Sequence, residues 1–350
     1  MLRTNPEEGV EMRHPAYNLK ANKEADRAVM IETIRRTIPL FGTESDYRYI
    51  GFGGPFLEDM KRVHGAFPSI KLLSLEGNPE TFKRQEYHRF VNDERLELAF
   101  GKSHDYLRAT YEPQGKEIIW LDHLNFGREE LSDFVFLATK VGTGSMLRIT
   151  FRGEWKDKLP GAASPDADWT KIFKNFKNNF GDLAPESLEP DDFLDGQKYC
   201  AIVTRMVVAA VQDELAPPLP RYFQPLVANF YRDETRMLSI MGVVADAPPL
   251  EQVVAIGTVD VDSTIANAFR NWDLASLNGE TVHLLDVPSL SLKERLALDR
   301  HLPLTSAERQ AECLKELPYL VGDSAADHER LMRRYAALSP YYSQFARVEW

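Results

Sequence analysis

Short apolar runs alternate with amphipathic segments along the first half of the chain, and this pattern predicts strands separated by helices. The runs at 70–75 and 117–122 are almost continuously apolar, as expected of parallel strands that are covered on both faces. We therefore predict an α/β fold built on a parallel sheet. Its strands are expected at 49–51, 70–75, 96–100, 117–122 and 145–151.

Helical periodicity accounts for the segments between the strands. Asn22 is a suitable N-cap for a first helix, and Pro39 is expected to end that helix. Pro55 suits the first position of a second helix, because the amide that proline lacks has no partner there. One face of this second helix should pack on the sheet through Phe56, Met60, Val63 and Phe67. Further helices are predicted at 79–90, 124–141 and 195–215.

Two apolar runs later in the chain decide the type of sheet. Phe223–Phe230 and Arg236–Val244 are joined by a short polar loop, which suits an antiparallel hairpin. Parallel strands finished by a hairpin differ from the symmetric double unit that binds nicotinamide dinucleotides. We therefore assign residues 1–247 to one α/β domain, with a polar insertion at about 153–192.

The C-terminal extension, 248–350, is expected to be mainly helical. Ser291 and Thr305 each stand three residues before a glutamate, Glu294 and Glu308, so both pairs match a capping box. The last aromatic residues should dock on a core or on another subunit rather than remain in water. These residues are Tyr341, Tyr342, Phe345 and Trp350. A second copy of the chain or a protein partner would therefore bind through this extension.

Composition narrows the class of protein. The chain has 350 residues, 43% of them hydrophobic, so it can bury a substantial core. Its formal net charge of -11 disfavours nucleic acid as a partner, because that binding mode needs many Lys and Arg contacts with phosphates. Two cysteines are too few for a disulfide framework, and no apolar run is long enough to span a bilayer. We therefore expect a cytoplasmic protein without a membrane segment.

Glycines and an acid at two strand ends point to a nucleotide-type ligand. Gly51, Gly53 and Gly54 lie at the end of the first strand, where glycines let the backbone turn sharply and approach a ligand closely. Glu76 ends the second strand, where a carboxylate can accept hydrogen bonds from ribose hydroxyls. Two alternatives remain open, in which the glycines form an ordinary tight turn and Glu76 caps the next helix.

Asp122 and His123, at the end of the fourth strand, are the best candidates for chemistry. A carboxylate or an imidazole at a strand end can take a proton from a substrate, and histidine is suited to this near neutral pH. In the alternative, Asp122 binds loop amides and His123 packs under the insertion. No spacing of acids or histidines demands a metal, so none is expected.

Lysines alternate with aromatic residues in one part of the insertion, a composition that is also used for contact with single-stranded nucleic acid. At helical spacing, Lys171, Lys174 and Lys177 fall on one face and the aromatic residues are offset from them. We therefore favour a half-buried surface helix over a nucleic-acid contact.

Together these features resemble the class I S-adenosylmethionine-dependent methyltransferases, and they are most similar to a poorly characterised bacterial group of O-methyltransferase-like proteins. The resemblance covers roughly residues 16–246 and lies in two motifs, 49–54 and 73–76. It implies a Rossmann-like sheet and S-adenosylmethionine as cofactor, bound at the glycines of the first motif. It also implies that Glu76 holds the ribose of the cofactor.

The same resemblance places further residues. Ser103 or Asp105 would lie beside the adenine, and Asp122 with His123 would lie near the methyl group. The implied function is methyl transfer to an oxygen or nitrogen of an unidentified acceptor. Because the cofactor carries the reactive methyl group, the protein mainly has to position and desolvate the reactants.

Two departures from the family pattern support an alternative function. The family commonly has an acid two positions before the first glycine, where Tyr49 stands in this chain. The usual third glycine is replaced, with Pro55 following Gly54. In the alternative, a catalytically degenerate methyltransferase fold acts as a scaffold or regulatory subunit of a larger bacterial complex. A nucleic-acid methyltransferase is disfavoured, because 122–125 lacks the Asn/Asp-Pro-Pro-Tyr type of motif.

Overall fold

Eight strands organise the residues that the computed structural model describes, which are 20–92, 94–154, 168–215, 221–232, 234–246, 263–304 and 306–341. In chain order the strands are β1 (Tyr47–Gly51), β2 (Lys71–Glu76), β3 (Leu96–Phe100), β4 (Lys116–Asp122), β5 (Met146–Arg152), β6 (Arg221–Arg232), β7 (Arg236–Asp246) and β8 (His283–Leu285). They form one sheet with the order β3-β2-β1-β4-β5-β7-β6-β8.

Strand directions confirm the predicted type of sheet. Strands β1 to β5 run parallel, β7 lies antiparallel between β5 and β6, and β8 pairs parallel with β6. The strand order reverses between β1 and β4, and ligands bind outside the carboxyl ends of strands at such a point. Gly51 ends β1 and Asp122 ends β4, so both lie at this edge of the sheet.

Helices surround the sheet in the described parts of the chain. They are α1 (Ala21–Phe41), α2 (Glu58–Ala66), α3 (Pro79–Tyr87), α4 (Ser103–Ala109), α5 (Arg128–Lys140), α6 (Trp169–Phe180), α7 (Asp191–Leu194), α8 (Gly196–Leu215), α9 (Ser263–Phe269), α10 (Leu292–Leu298), α11 (Ala307–Lys315) and α12 (Ala325–Leu338). One face of the sheet packs against α5, α6 and α8, and the other packs against α1, α2 and α9.

Helix α6 has the amphipathic character that its spacing predicts. Ile172, Phe176 and Phe180 are buried in the core, whereas the three lysines at 171, 174 and 177 are exposed. The interpretation of this segment as a half-buried surface helix is confirmed.

Helix α1 differs from the prediction at both ends. Lys20 is its N-cap, and Asn22 lies inside the helix, where its side chain bridges two distant backbone groups. Asn22 Nδ2 donates to the Arg232 carbonyl at 2.9 Å, and Asn22 Oδ1 accepts from the Val287 amide at 2.7 Å. Pro39 does not end the helix, because in the last turn a proline removes only one helical hydrogen bond.

Helix α2 begins three residues later than predicted. Leu57 precedes it in a left-handed conformation, with φ of 57°, and Pro55 therefore lies in the turn before the helix. Phe56 is 40% exposed instead of packing on the sheet, and its ring contacts His88 at 5.0 Å. The other three predicted contacts are confirmed, because Met60, Val63 and Phe67 are buried.

Charged side chains form a buried layer between α1 and the sheet. Asp26 pairs with Arg148, whose guanidinium lies over the Trp120 ring at 4.4 Å from its centroid. Arg27 of the same helix contacts Asp59 at 2.6 Å. Because unpaired charges are costly to bury, these pairs define how α1 sits on the sheet.

The extension after the hairpin contributes a strand as well as helices. Strand β8 is only three residues long, too short to be recognised from its hydrophobic pattern. Helices α10 to α12 share a small apolar cluster of their own. Its buried members are Leu298, Cys313, Leu317, Met332 and Tyr335. Leu338, at the end of α12, instead packs into the cluster that covers β1.

Caps and terminal aromatics of the extension follow the prediction in part. The capping box of Ser291 and Glu294 is confirmed. The second box is wrong, because Ser306 is the N-cap of α11 and Thr305 lies outside the described residues. Tyr341 docks on the core, where its hydroxyl accepts a 2.6 Å hydrogen bond from Trp272 Nε1. The aromatic residues at 342, 345 and 350 lie outside the described residues.

Among the described helices, none has the length and apolar character needed to cross a bilayer.

Candidate cofactor and catalytic site

A cavity of about 530 Å³ lies at the carboxyl ends of the central parallel strands. Phe52 follows β1, Glu76 ends β2, Ser103 follows β3, and Asp122 with His123 ends β4, and all five line it. The volume lies within the range of roughly 300–1,000 Å³ that is typical of ligand pockets. The strand ends that the sequence singled out therefore meet in one cavity.

Four of the predicted site residues line this cavity and four do not. Glu76, Ser103, Asp122 and His123 belong to its described wall, whereas Gly51, Gly53, Gly54 and Asp105 do not. Asp105 is exposed on α4, one residue after His104, which does line the cavity. The three glycines instead shape the turn that carries Phe52.

Side chains from β2 and α3 hold the glycine turn. The Gly53 amide donates to Ser74 Oγ at 3.1 Å, and Ser74 Oγ donates to Gln85 Oε1 at 3.1 Å. Gln85 Nε2 in turn donates to the Gly54 carbonyl at 3.0 Å. A Cβ on Gly53 would lie 2.6 Å from Leu57 Cδ2, so the turn requires glycine at that position. The tight turn that the sequence left as an alternative is therefore present, and it borders the cavity.

Tyr49 fills the position at which the family commonly has an acid. Its ring is fully buried, and its hydroxyl lies 3.1 Å from the place of a Cβ on Gly51. Burial raises the pKa of Tyr49 well above its ordinary value, so the phenol stays neutral. The Tyr49 hydroxyl has no hydrogen bond to any described residue.

Glu76 has one carboxylate oxygen engaged and one open. Its Oε1 accepts a hydrogen bond from the Asn78 amide at 2.7 Å. Asn78, and not Glu76, is the N-cap of α3, because its side chain accepts from the Glu80 and Thr81 amides. Within the described chain, Glu76 Oε2 has no hydrogen bond. This oxygen is the one that a hydroxyl-bearing ligand could reach.

Helix α4 contributes to the wall a histidine with a carboxylate partner. His104 Nδ1 lies 2.8 Å from Asp133 Oδ2, and Arg108 Nε donates to Asp133 Oδ1 at 3.1 Å. The hydrogen bond with Asp133 raises the pKa of His104 above its ordinary value. His104 is therefore more readily protonated than a free histidine.

Asp122 is held by a lysine from α1. Lys23 Nζ donates to Asp122 Oδ2 at 3.1 Å, across 99 positions of the chain. Burial disfavours the charged form of Lys23, but its interactions with the Asp122 and Asp59 carboxylates together raise the pKa of the lysine. Asp122 therefore pairs with a cation, in place of the loop amides considered from the sequence.

His123 presents a neutral nitrogen beside the same cavity. Its amide donates to the Thr150 carbonyl at 2.8 Å, and its ring contacts Phe52 edge to face at 6.4 Å. Its Nε2 is buried and has no hydrogen-bond partner among the described residues. Burial lowers the pKa of His123, so the imidazole is in its basic form near neutral pH.

The wall of the cavity carries more acidic than basic side chains. Its carboxylates are Glu76, Asp122, Glu129, Glu130 and Asp133. Its described lysines and histidines are Lys102, His104 and the neutral His123. A pocket lined by one sign of charge attracts ligands of the opposite sign, so this cavity suits a cationic ligand. Within the described residues, no group of three or more His, Cys, Asp or Glu side chains is placed to hold a metal ion.

Sequence reasoning did not single out several residues that build this site. Ser74 carried a signal, because it is a polar residue inside the apolar run of β2. Gln85 and Asp133 carried none, because a polar residue on an amphipathic helix is ordinarily solvated. Both are buried, and both bind groups from other elements.

Comparison with known families identifies the class of protein. A family profile described as "Putative O-methyltransferase" matches residues 15–350. Among curated proteins, none matches the chain.

Two solved structures illustrate the structural likeness. The plantazolicin methyltransferase BamL, in complex with SAH, is 11% identical over 63% of this chain and 85% of its own, with a TM-score of 0.37. A probable spermidine synthase from Corynebacterium glutamicum is 10% identical over 77% of this chain and 82% of its own, with a TM-score of 0.41. Both scores are too low to add to the assignment, which rests on the profile and on the strand order. The chain therefore belongs to this O-methyltransferase family, whose sheet is that of the class I enzymes that use S-adenosylmethionine.

Proposed function

We propose that the protein transfers a methyl group from S-adenosylmethionine to an oxygen atom of an acceptor, with His123 as the general base. One observation carries the proposal. His123 lines the same cavity as Glu76, and its buried Nε2 has no hydrogen-bond partner among the described residues. The family profile supports oxygen over nitrogen as the methylated atom.

The residues of the cavity fit this cofactor. S-adenosylmethionine supplies, when bound, a methyl group on a positively charged sulfur atom, and the acid-rich wall suits that charge. Glu76 would hold the ribose hydroxyls through Oε2, and Ser103 would lie at the adenine end. The glycine turn, fixed by Ser74 and Gln85, places Phe52 in the wall of the cavity.

His123 and Asp122 would have different tasks. The neutral imidazole of His123 can take the proton of an acceptor hydroxyl at Nε2 as the oxygen gains its methyl group. Asp122 Oδ2 is already engaged by Lys23, whereas His123 Nε2 has no hydrogen-bond partner among the described residues. We assign the proton transfer to His123, and we assign to Asp122 the electrostatic stabilisation of positive charge in the cavity.

Calorimetric titration with S-adenosylhomocysteine tests the cofactor site. Glu76→Gln should weaken binding at least about tenfold, because a charged hydrogen bond contributes about 1.5–3 kcal/mol. Glu86→Gln is the matched control, since Glu86 lies exposed on α3 and does not line the cavity. No binding to the unaltered protein at millimolar concentration would overturn the proposal and leave the scaffold function.

Methyl transfer can be tested before the acceptor is known. Methyl-tritiated S-adenosylmethionine and a bacterial metabolite extract should yield labelled product with the unaltered protein. His123→Gln should bind S-adenosylhomocysteine normally and label the extract about 10²–10⁴-fold more slowly, the usual contribution of a general base. Equal labelling by both proteins would contradict the assignment of His123.

A further inference from the structure

The ion pair of Lys23 and Asp122 connects α1 to the wall of the cavity. Lys23 Nζ is 3.1 Å from Asp122 Oδ2, and the two side chains are only 12% and 25% exposed. Asp122 lines the cavity, whereas Lys23, in the first turn of α1, contacts Asp122 from behind the lining residues and is not itself part of the described wall. A cation and an anion are therefore held side by side at one end of the cavity.

A second observation points to a ligand at this end. The fully buried hydroxyl of Tyr49 lies over Gly51 and has no partner among the described residues. A buried polar group without a hydrogen bond is uncommon, and it calls for an explanation such as a ligand or an ordered water. Tyr49 lies on β1, and β1 pairs with β4, the strand that ends at Asp122.

The cofactor is a nucleoside at one end and an amino acid at the other. The amino-acid end carries an ammonium group and a carboxylate, so a site for it needs one anion and one cation close together. Glu76 ends β2, which β1 separates from β4 in the sheet, and it suits the nucleoside. The Lys23 and Asp122 pair provides the two charges that the amino acid requires.

We propose that Lys23 and Asp122 bind the amino-acid end of the cofactor, its carboxylate contacting Lys23 and its ammonium group contacting Asp122. This inference rests on the proposed function. It also accounts for Tyr49 in place of the acid of the first motif, because Asp122 supplies the negative charge from β4. Both protein charges are already largely buried, so binding replaces one set of charged contacts with another and desolvates little of the protein.

Two ligands separate the amino-acid end from the nucleoside. S-adenosylhomocysteine has both, and methylthioadenosine has the nucleoside without the amino acid. Calorimetry on the unaltered protein should show that S-adenosylhomocysteine binds at least about tenfold more tightly than methylthioadenosine. This is the minimum difference expected from charge-assisted hydrogen bonds to the amino-acid end. Lys23→Met should remove most of this difference and leave the affinity for methylthioadenosine unchanged. Lys23→Arg should restore part of it.

Lys20→Met is the matched control. Lys20 lies three residues earlier and pairs at 3.1 Å with Glu234, which does not line the cavity. This variant should keep the affinities for both ligands. Asp122→Asn has nearly the same shape as the native side chain, and it should weaken S-adenosylhomocysteine selectively, which gives an independent test if Lys23→Met folds poorly.

The outcomes distinguish this inference from the proposed function. If neither ligand binds the unaltered protein, the proposed function fails and the inference fails with it. If both ligands bind, but Lys23→Met and Asp122→Asn weaken them equally or not at all, the inference alone is wrong. Unchanged affinity for methylthioadenosine also serves as the check that each variant has folded.

Discussion

His123 and His104 line one cavity, but their pKa values are shifted in opposite directions. Burial lowers the pKa of His123, whereas the hydrogen bond with Asp133 raises the pKa of His104. Between the two pKa values, one ring is neutral and the other is charged. Neutral His123 contributes stability to the folded state that is lost as the pH falls through its lowered pKa. Charged His104 contributes stability that is lost as the pH rises through its raised pKa.

Proton NMR titration of the two imidazole rings measures this difference without an acceptor. We expect His123 to titrate below the usual histidine value of about 6.5 and His104 to titrate above it. Asp133→Asn should lower the pKa of His104, because it removes the anionic partner, and should change His123 little. A His123 pKa at or above the usual value would contradict its role as a base that is neutral near pH 7.

Three of the four predicted residues that line the cavity stand at or directly after the end of a strand, and the fourth, Ser103, is implied only by the resemblance. Glu76, Asp122 and His123 were found because an apolar run ends beside each of them. Lys23 is 99 positions from Asp122, and its contact depends on how α1 crosses the sheet. Local spacing does not contain that information. The neutral state of His123 likewise arises from burial, which the sequence does not show.

At the scale of elements, two glycines, one in the turn after β1 and one in α2, should respond in opposite ways to substitution by alanine. Gly53→Ala should lower the free energy of unfolding by about 1–3 kcal/mol, because the new Cβ would overlap Leu57 Cδ2 and Ser74 Oγ. Gly65→Ala, inside α2, has nothing within 4 Å of its new Cβ, and it should raise that free energy by up to about 1 kcal/mol. Urea unfolding measures both. Equal effects of the two substitutions would contradict the close approach at Gly53.

The predicted elements were most accurate in the sheet and least accurate at helix ends. Strands β1, β2 and β4 to β7 were recognisable because each buries a run of apolar residues against helices, whereas β3 buries only Leu96 fully. The start of α2 was misplaced because Leu57 adopts a left-handed conformation that its residue type disfavours. The helix predicted at 124–141 begins at Arg128 in the structure, and residues 124 and 125 lie in the loop before it, where they line the cavity. In each case a tertiary contact overrides the local preference.

At the scale of the whole molecule, Leu338 connects the C-terminal extension to the sheet. It is 2% exposed and packs in the cluster that contains Tyr49 and Met30. Leu338→Ala should lower the free energy of unfolding by about 2–5 kcal/mol within a single transition, because it leaves a cavity in the core that α1 shares. Leu320→Ala is the control, since Leu320 is 56% exposed. Two separate urea transitions, with only one shifted by the variant, would show that the extension unfolds independently.

Strand β8 covers part of an edge that would otherwise be open. Strand β6 is 12 residues long, and β8 pairs with its positions 229–231. An uncovered strand of that length offers unpaired amides and carbonyls to any other chain, which promotes aggregation. A shortened protein that ends after the hairpin would therefore be prone to self-association through β6. We therefore expect that soluble expression of the methyltransferase sheet will require the residues that form β8.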